Sequence, residues 1–255
     1  MESSTVRTLV PTQQSGTSDL QIKRVGFGAW AIDGGGWSFG WGPEDDTDST
    51  AAIRHALDLG IDWIDTTTVY DLGDLDELAD AELSPDDRHY VFTKCGLIFD
   101  EGPRAGEARR SRWPASVRQR CEGSLRQLGV ERIDLYQLDW PDETREGVEQ
   151  SRRATMPANG VHRTGVIWYS PREAGILAET FSRAPTTASA VAVAWTLTAR
   201  GVAGAIVGAR SAEQIEGWID AATLVLARAN LGEIVSAIGR TGAGHGAQLP
   251  AALAA

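Results

Sequence analysis

The stretch DTTTVYDLGD (65–74) sets a carboxylate, Asp65, five positions ahead of a phenol, Tyr70, with Asp71 and Asp74 close behind. Groups of these types take up, hold and release protons, which is the work of general acids and bases. Lys94 stands near the end of the apolar run HYVFTKCG (89–96), and Asp139 near the end of RIDLYQLDW (132–140), next to Trp140. A long loop, AIDGGGWSFGWGPEDD, follows Trp30 and carries Trp37, Phe39 and Trp41, enough aromatic surface for one wall of an apolar pocket. Two readings stay open on these residues alone. The carboxylates, phenol and ammonium either line a catalytic pocket or end strands that run into solvated acidic loops. The aromatics are either a pocket wall or incidental to a surface loop.

The elements that must position these residues show in the hydrophobic pattern. Six short apolar runs, RVGFGAW (24–30), DWIDTTTVY (62–70), HYVFTKCG (89–96), RIDLYQLDW (132–140), TGVIWYS (164–170) and AGAIVGA (203–209), are the strand candidates. Between the first two, Ala52, Ile53, Ala56, Leu57 and Leu59 form the apolar face of a helix that Gly60 stops. Between the third and fourth, Val117, Cys121, Leu125 and Leu128 recur at spacings of three and four before Gly129. Strand, helix, glycine, strand is the pattern of right-handed βαβ units and a parallel sheet. The strands are nearly continuous in apolar residues, as expected when both faces are covered. A phosphate-binding GxGxxG does not follow the first strand, which argues for a barrel over a dinucleotide-binding doubly wound sheet. VAVAWTLTARG (191–201) reads as a helix, and SAEQIEGWIDAATLVL (211–226) follows the last strand with a helical start, Ser211 as N-cap and Gln214 at the capping-box position.

Composition narrows the function classes. A net charge of -11 repels nucleic-acid backbones and anionic membrane surfaces, so neither partner is expected. Cys95 and Cys121 make no CxxC and no cluster with histidine at metal-ligand spacing, so no metal site is expected and a reducing cytoplasm fits. No apolar run approaches the ~20 residues of a membrane helix. Residues 1–20 read as a flexible tail without the apolar stretch of a signal peptide, residues 21–240 as one barrel domain, and residues 241–255 as a second flexible tail.

Taken together, VGFGAWAI, AIRHALDLGIDWIDTTTVYDLGDLDE, VFTKCG, SLRQLGVERIDLYQLDWPD, WYSPREAGIL and AVAWTLTARGVAGAIVGARSAEQIEG resemble the aldo/keto reductase family, in the family's order over most of residues 22–220. The resemblance implies a (β/α)8 barrel with its active site at the C-terminal ends of the strands. It also implies NADP(H) as cofactor, bound without a Rossmann fold, and a catalytic Asp, Tyr, Lys and His. Asp65, Tyr70 and Lys94 match the first three. In such a site Tyr70 donates a proton to a nascent alkoxide, Lys94 favours ionisation of the phenol, and Asp65 orients Lys94. Tyr169 matches the aromatic that stacks on the nicotinamide. Gly208, Arg210, Ser211 and Gln214 match the adenosine-phosphate segment, with Ser211 at a helix N-terminus suited to an anion. Trp30, Trp37, Trp41 and Trp140 would rim an apolar substrate pocket.

The sequence departs from the family in two places. Asp139 stands where the family has its histidine. An ionised aspartate there would repel an oxyanion, whereas a protonated one could still donate a hydrogen bond. Steroid 5β-reductases of the family carry a carboxyl at this position and reduce a conjugated C=C bond. Further on, only the polar stretch 143–163 fills the place of two family strands with their intervening helices, so the usual Ser-Asn and Gln for the nicotinamide have no counterpart. The fold expected is therefore a TIM-type (β/α) parallel barrel that is reduced, open or completed by a second copy, with about six recognisable strands.

Three functions follow. The first is NADP(H)-dependent reduction of a carbonyl or conjugated alkene on an apolar small molecule. The second is cofactor-free acid/base chemistry, as in a dehydratase, cyclase or isomerase, on the same scaffold. The third is an inactive binding protein.

Overall fold

The computed structural model describes residues 10–32, 46–66, 89–95, 97–98, 109–110, 114–138, 166–168, 187–199 and 201–241. Its centre is a six-stranded sheet built from β3 (Val25–Gly28), β4 (Trp63–Asp65), β5 (Tyr90–Cys95), β8 (Leu135–Leu138), β9 (Val166–Trp168) and β10 (Val202–Gly208). The spatial order is β8-β5-β4-β3-β10-β9, and every neighbouring pair is parallel. These are the six runs predicted from sequence. The first strand pairs with the last, as in a barrel, and the order ends at β8 and β9, the strands that flank the polar stretch 143–163 in sequence.

The described residues also form a short antiparallel pair, β6 (Leu97–Ile98) with β7 (Arg109–Arg110), helices α1 (Asp46–Asp58), α2 (Pro114–Gln127), α3 (Ala188–Leu197), α4 (Ala212–Glu216) and α5 (Arg228–Thr241), and 3-10 turns at Ala29–Ile32 and Ile219–Ala222. Glycine follows each of the first two helices in the left-handed region, Gly60 at φ 91° and Gly129 at φ 60°, where a side chain would be strained. The helical start read at 211 is α4, which ends at Gly217, and Trp218 turns fully into the core ahead of the second 3-10 turn. No helix among the described residues is long and apolar enough to cross a membrane.

Strand alternation sorts the side chains onto two faces. Ile64, Val91, Val25 and Phe27 join Ala52, Ala56, Val193 and Leu197 of α1 and α3 in the outer core. Trp63 and Phe92 face the other way, in an inner cluster with Ile22 and Ala203. Their rings lie 5.2 Å apart at 31°. The Trp63 indole spreads over the bare backbones of Gly26 and Gly204, where a Cβ would come within 2.1 Å and 3.1 Å of it.

Residues 10–20, within the stretch read as a flexible tail, are folded at the base of the sheet, while residues 1–9 lie outside the described residues. β1 (Thr12–Gln14) pairs antiparallel with β2 (Gln21–Lys23) around a turn that holds Gly16 at φ 62°. Val10 is buried in the outer core, and Ile22 is fully buried in the inner one. The hairpin is fastened by the Trp63 Nε1–H, which donates to the Lys23 carbonyl at 2.9 Å, and by the Lys23 backbone N–H, which donates to Asp62 Oδ1 at 2.9 Å. Burial pushes the Asp62 carboxyl up to about 6, against the lowering pull of Lys23.

Candidate active site

Asp65, Lys94 and Gln137 stand near the C-terminal ends of three adjacent strands, β4, β5 and β8. Each lies two residues beyond an inner-cluster side chain, Trp63, Phe92 and Leu135 respectively, and alternation places each on that same face. A polar layer therefore sits directly on an apolar one. Asp65 is 3% exposed and Lys94 partly so. Lys94 Nζ donates to Asp65 Oδ2, and also to the backbone carbonyl of Thr66 at 3.1 Å. Gln137 Nε2 donates to Asp65 Oδ1 at 2.6 Å. Both carboxylate oxygens thus have a donor, as a buried charge requires.

An ammonium held in this way is a fixed positive charge in poorly solvated surroundings. It lowers the cost of ionising an acid placed beside it and stabilises negative charge that develops there. Within the described residues, the sequence-predicted pair Asp65 and Lys94 is brought together. Tyr70, Asp139 and Trp140 fall outside them, as do Trp37, Trp41 and Tyr169. Gln137 was not singled out from sequence. Its position two residues after Leu135 on an alternating strand marks its face, but its reach to Asp65 depends on the register that sets it beside Lys94.

The predicted cofactor segment follows β10. Gly208 pairs with Gly28, and a Cβ on Gly208 would stand 3.0 Å from that of Ala31, so close packing of the first 3-10 turn requires glycine here. Ser211 caps α4, its hydroxyl accepting from the Gln214 N–H at 3.4 Å. The Gln214 side-chain oxygen reaches back to the Arg210 N–H at 2.9 Å, one residue earlier than in the usual capping box. Arg210, Ser211 and Gln214 are thereby gathered at one strand end. Trp30, in the 3-10 turn after β3, packs half-buried on the outer core. A metal-holding group of three or more His, Cys, Asp or Glu side chains is absent among the described residues.

Known proteins with similar sequences and folds agree with this architecture. The profile of the aldo/keto reductase family matches residues 24–169, more than half of the 255-residue chain. The aldo-keto reductase YhdN of Bacillus subtilis is 36% identical over 126 residues, covering 48% of this chain and 36% of that protein. The NADH-specific methylglyoxal reductase of Escherichia coli is 31% identical over 134 residues, covering 49% of this chain and 40% of that protein. The chain therefore spans less than half the length of these two curated relatives. Among solved structures, the glycerol dehydrogenase of Gluconobacter oxydans superposes with a TM-score of 0.72 at 24% identity, over 91% of this chain and 96% of that one. That likeness identifies the six-stranded parallel sheet as an incomplete barrel of the same fold.

Proposed function

This chain belongs to the aldo/keto reductase family, and from that premise we propose that it is an NADP(H)-dependent oxidoreductase that reduces a carbonyl or conjugated alkene on an apolar small molecule. The observation that carries the proposal is the half-buried Lys94 ammonium, anchored by Asp65 and the Thr66 carbonyl at the C-terminal end of the sheet. A phenol has a reference pKa near ~10 and gives up its proton near neutrality only with help from a nearby cation. Tyr70, five residues beyond Asp65, is the phenol assigned to that role, as proton donor to the substrate oxygen or carbon. Asp65 holds Lys94 in place, and Asp139 acts as an auxiliary acid, donating a hydrogen bond in its protonated form.

The donor set after β10 suits a nicotinamide dinucleotide. A guanidinium at Arg210 beside the Ser211 hydroxyl and the Gln214 carboxamide has the chemistry to bind a ribose phosphate. Arg210 favours the phosphorylated form, NADP(H), over NAD(H). Gly208 gives close approach, and Tyr169 is assigned to stack on the nicotinamide. When bound, this cofactor supplies the hydride. Trp30, Trp37, Trp41 and Trp140 are assigned to an apolar substrate pocket, and the Trp63 layer under Asp65 is assigned as its floor.

The test is oxidation of NADPH and of NADH, followed at 340 nm, with a panel of small aldehydes, ketones and enones that includes methylglyoxal. Turnover that falls at least ~100-fold in Lys94→Met supports the reading. Turnover that survives this substitution unchanged contradicts it.

A further inference from the structure

We propose that Gln137 is a positioning residue that acts through Asp65, fixing the carboxylate so that it serves Lys94 as a rigid counter-ion and takes no part in proton transfer. For its effect on turnover the proposal rests on the functional reading above; for the contact itself it does not.

The geometry is that of a bridge across three strands. Gln137 and Lys94 are register partners on β8 and β5, and Lys94 reaches over to Asp65 on β4. The Gln137 side chain passes across the intervening strand and gives its Nε2–H to Asp65 Oδ1, the oxygen that Lys94 does not use. Asp65 is almost wholly buried, so water does not readily replace that donor. Without it the carboxylate would have one unsatisfied oxygen and could turn to exchange its two oxygens, carrying the ammonium with it. With it, the two oxygens are distinguishable and the rotamer is fixed. The Thr66 carbonyl then sets the second direction of the ammonium at 3.1 Å, so that two of the three Lys94 N–H groups are taken among the described residues.

The residue type matters here. A carboxamide donates without bringing charge, whereas a glutamate would set a second carboxylate against Asp65, and the two could ionise together only at high cost. A leucine or methionine would fill the space and leave Oδ1 bare. Each Asp65 oxygen already accepts from a donor, Lys94 or Gln137, and the carboxylate is almost wholly buried, so it is placed to hold the ammonium rather than to meet a substrate.

The experiment uses the full chain with Gln137→Met, Gln137→Glu and Asp65→Ala, and the Gln137→Met/Asp65→Ala pair. In urea unfolding, Gln137→Met is expected to lower the folding constant ~10-fold in the native background and less than ~2-fold when Asp65 is already alanine. Equal losses in both backgrounds overturn the contact. Gln137→Glu decides the same point without any Asp65 variant: relative to the native chain it must lose stability as the pH rises through the carboxylate range, and a constant difference overturns the contact. In turnover, Gln137→Met is expected to lower kcat ~10-fold or more with the KM for cofactor unchanged. Gln137→Glu should regain kcat relative to the native chain as the pH falls, because its protonated carboxyl donates to Asp65 again. Unchanged kcat in Gln137→Met overturns the positioning role even where the coupling is present. A native chain that turns over no carbonyl or enone refutes the oxidoreductase reading instead, and the unfolding measurements then decide alone whether Gln137 fixes Asp65.

Discussion

Replacing Asp62 with asparagine should make the protein more stable at neutral pH and leave it nearly unchanged in acid. Asp62 precedes β4 at the base of the sheet, where its Oδ1 accepts the Lys23 N–H that fastens the β1–β2 hairpin. Burial pushes its carboxyl up to about 6, from the usual 3.8. The folded chain therefore holds a proton on Asp62 that the unfolded chain has already released. The stability this lends is full below about pH 4 and is lost as the pH rises through about 6. At ~1.4 kcal/mol per pH unit, the gap corresponds to about 3 kcal/mol as an upper bound. The carboxyl is only partly buried and solvent screens it, so roughly 1–2 kcal/mol is expected. Asparagine keeps the carbonyl acceptor for Lys23 and has no charge to bury. Urea unfolding of both proteins at pH 4 and pH 7.5 measures the difference, and other carboxylates cancel in the comparison. A stability difference that is the same at both pH values would refute the reasoning.

Three further perturbations probe the frame around the site. Gly26→Ala would bring a Cβ within 2.1 Å of the Trp63 indole and should cost roughly 3 kcal/mol or more, read from thermal or urea unfolding. Thr187→Ala removes both the cap on α3, which accepts the Ala190 N–H at 3.2 Å, and the hydroxyl that donates to the Gly217 carbonyl; a loss of about 1–2 kcal/mol is expected in the same assay. Arg210→Met should weaken NADPH binding ~10-fold and leave NADH binding little changed, as measured by fluorescence titration.

The six strands could be read in the sequence as short, nearly unbroken apolar runs, and β3, β4 and most of β10 are buried on both faces as such runs imply. Gly60 and Gly129 marked the helix ends because only glycine is comfortable at their φ of 91° and 60°. Ser211 with Gln214 announced α4. The signal failed where structure depends on a distant partner. TQQ at 12–14 has exposed polar side chains and no period, and its strand exists because Gln21–Lys23 lies beside it. Helix α5 buries only Leu231, Ile234 and Ala237, and Gly232 and Gly239 weaken its local pattern. Trp63 reads as one more apolar strand residue, yet its place is dictated by the bare backbones of Gly26 and Gly204 on two other strands. At the site, Asp65 and Lys94 were legible through their family spacing. Gln137 was not, because its role arises from the register of β8 on β5 and has no local signature.

The central claim, that this incomplete barrel works with a nicotinamide cofactor, is tested most directly by titrating the full chain with NADPH while following its tryptophan fluorescence. The chain has nine tryptophans, and those at 30, 37, 41 and 140 are the ones assigned to the pocket. Saturable quenching complete below ~1 mM NADPH, a Kd in the ordinary range for small-molecule sites, is the predicted result. Fluorescence that stays flat to millimolar NADPH and NADH would contradict the account.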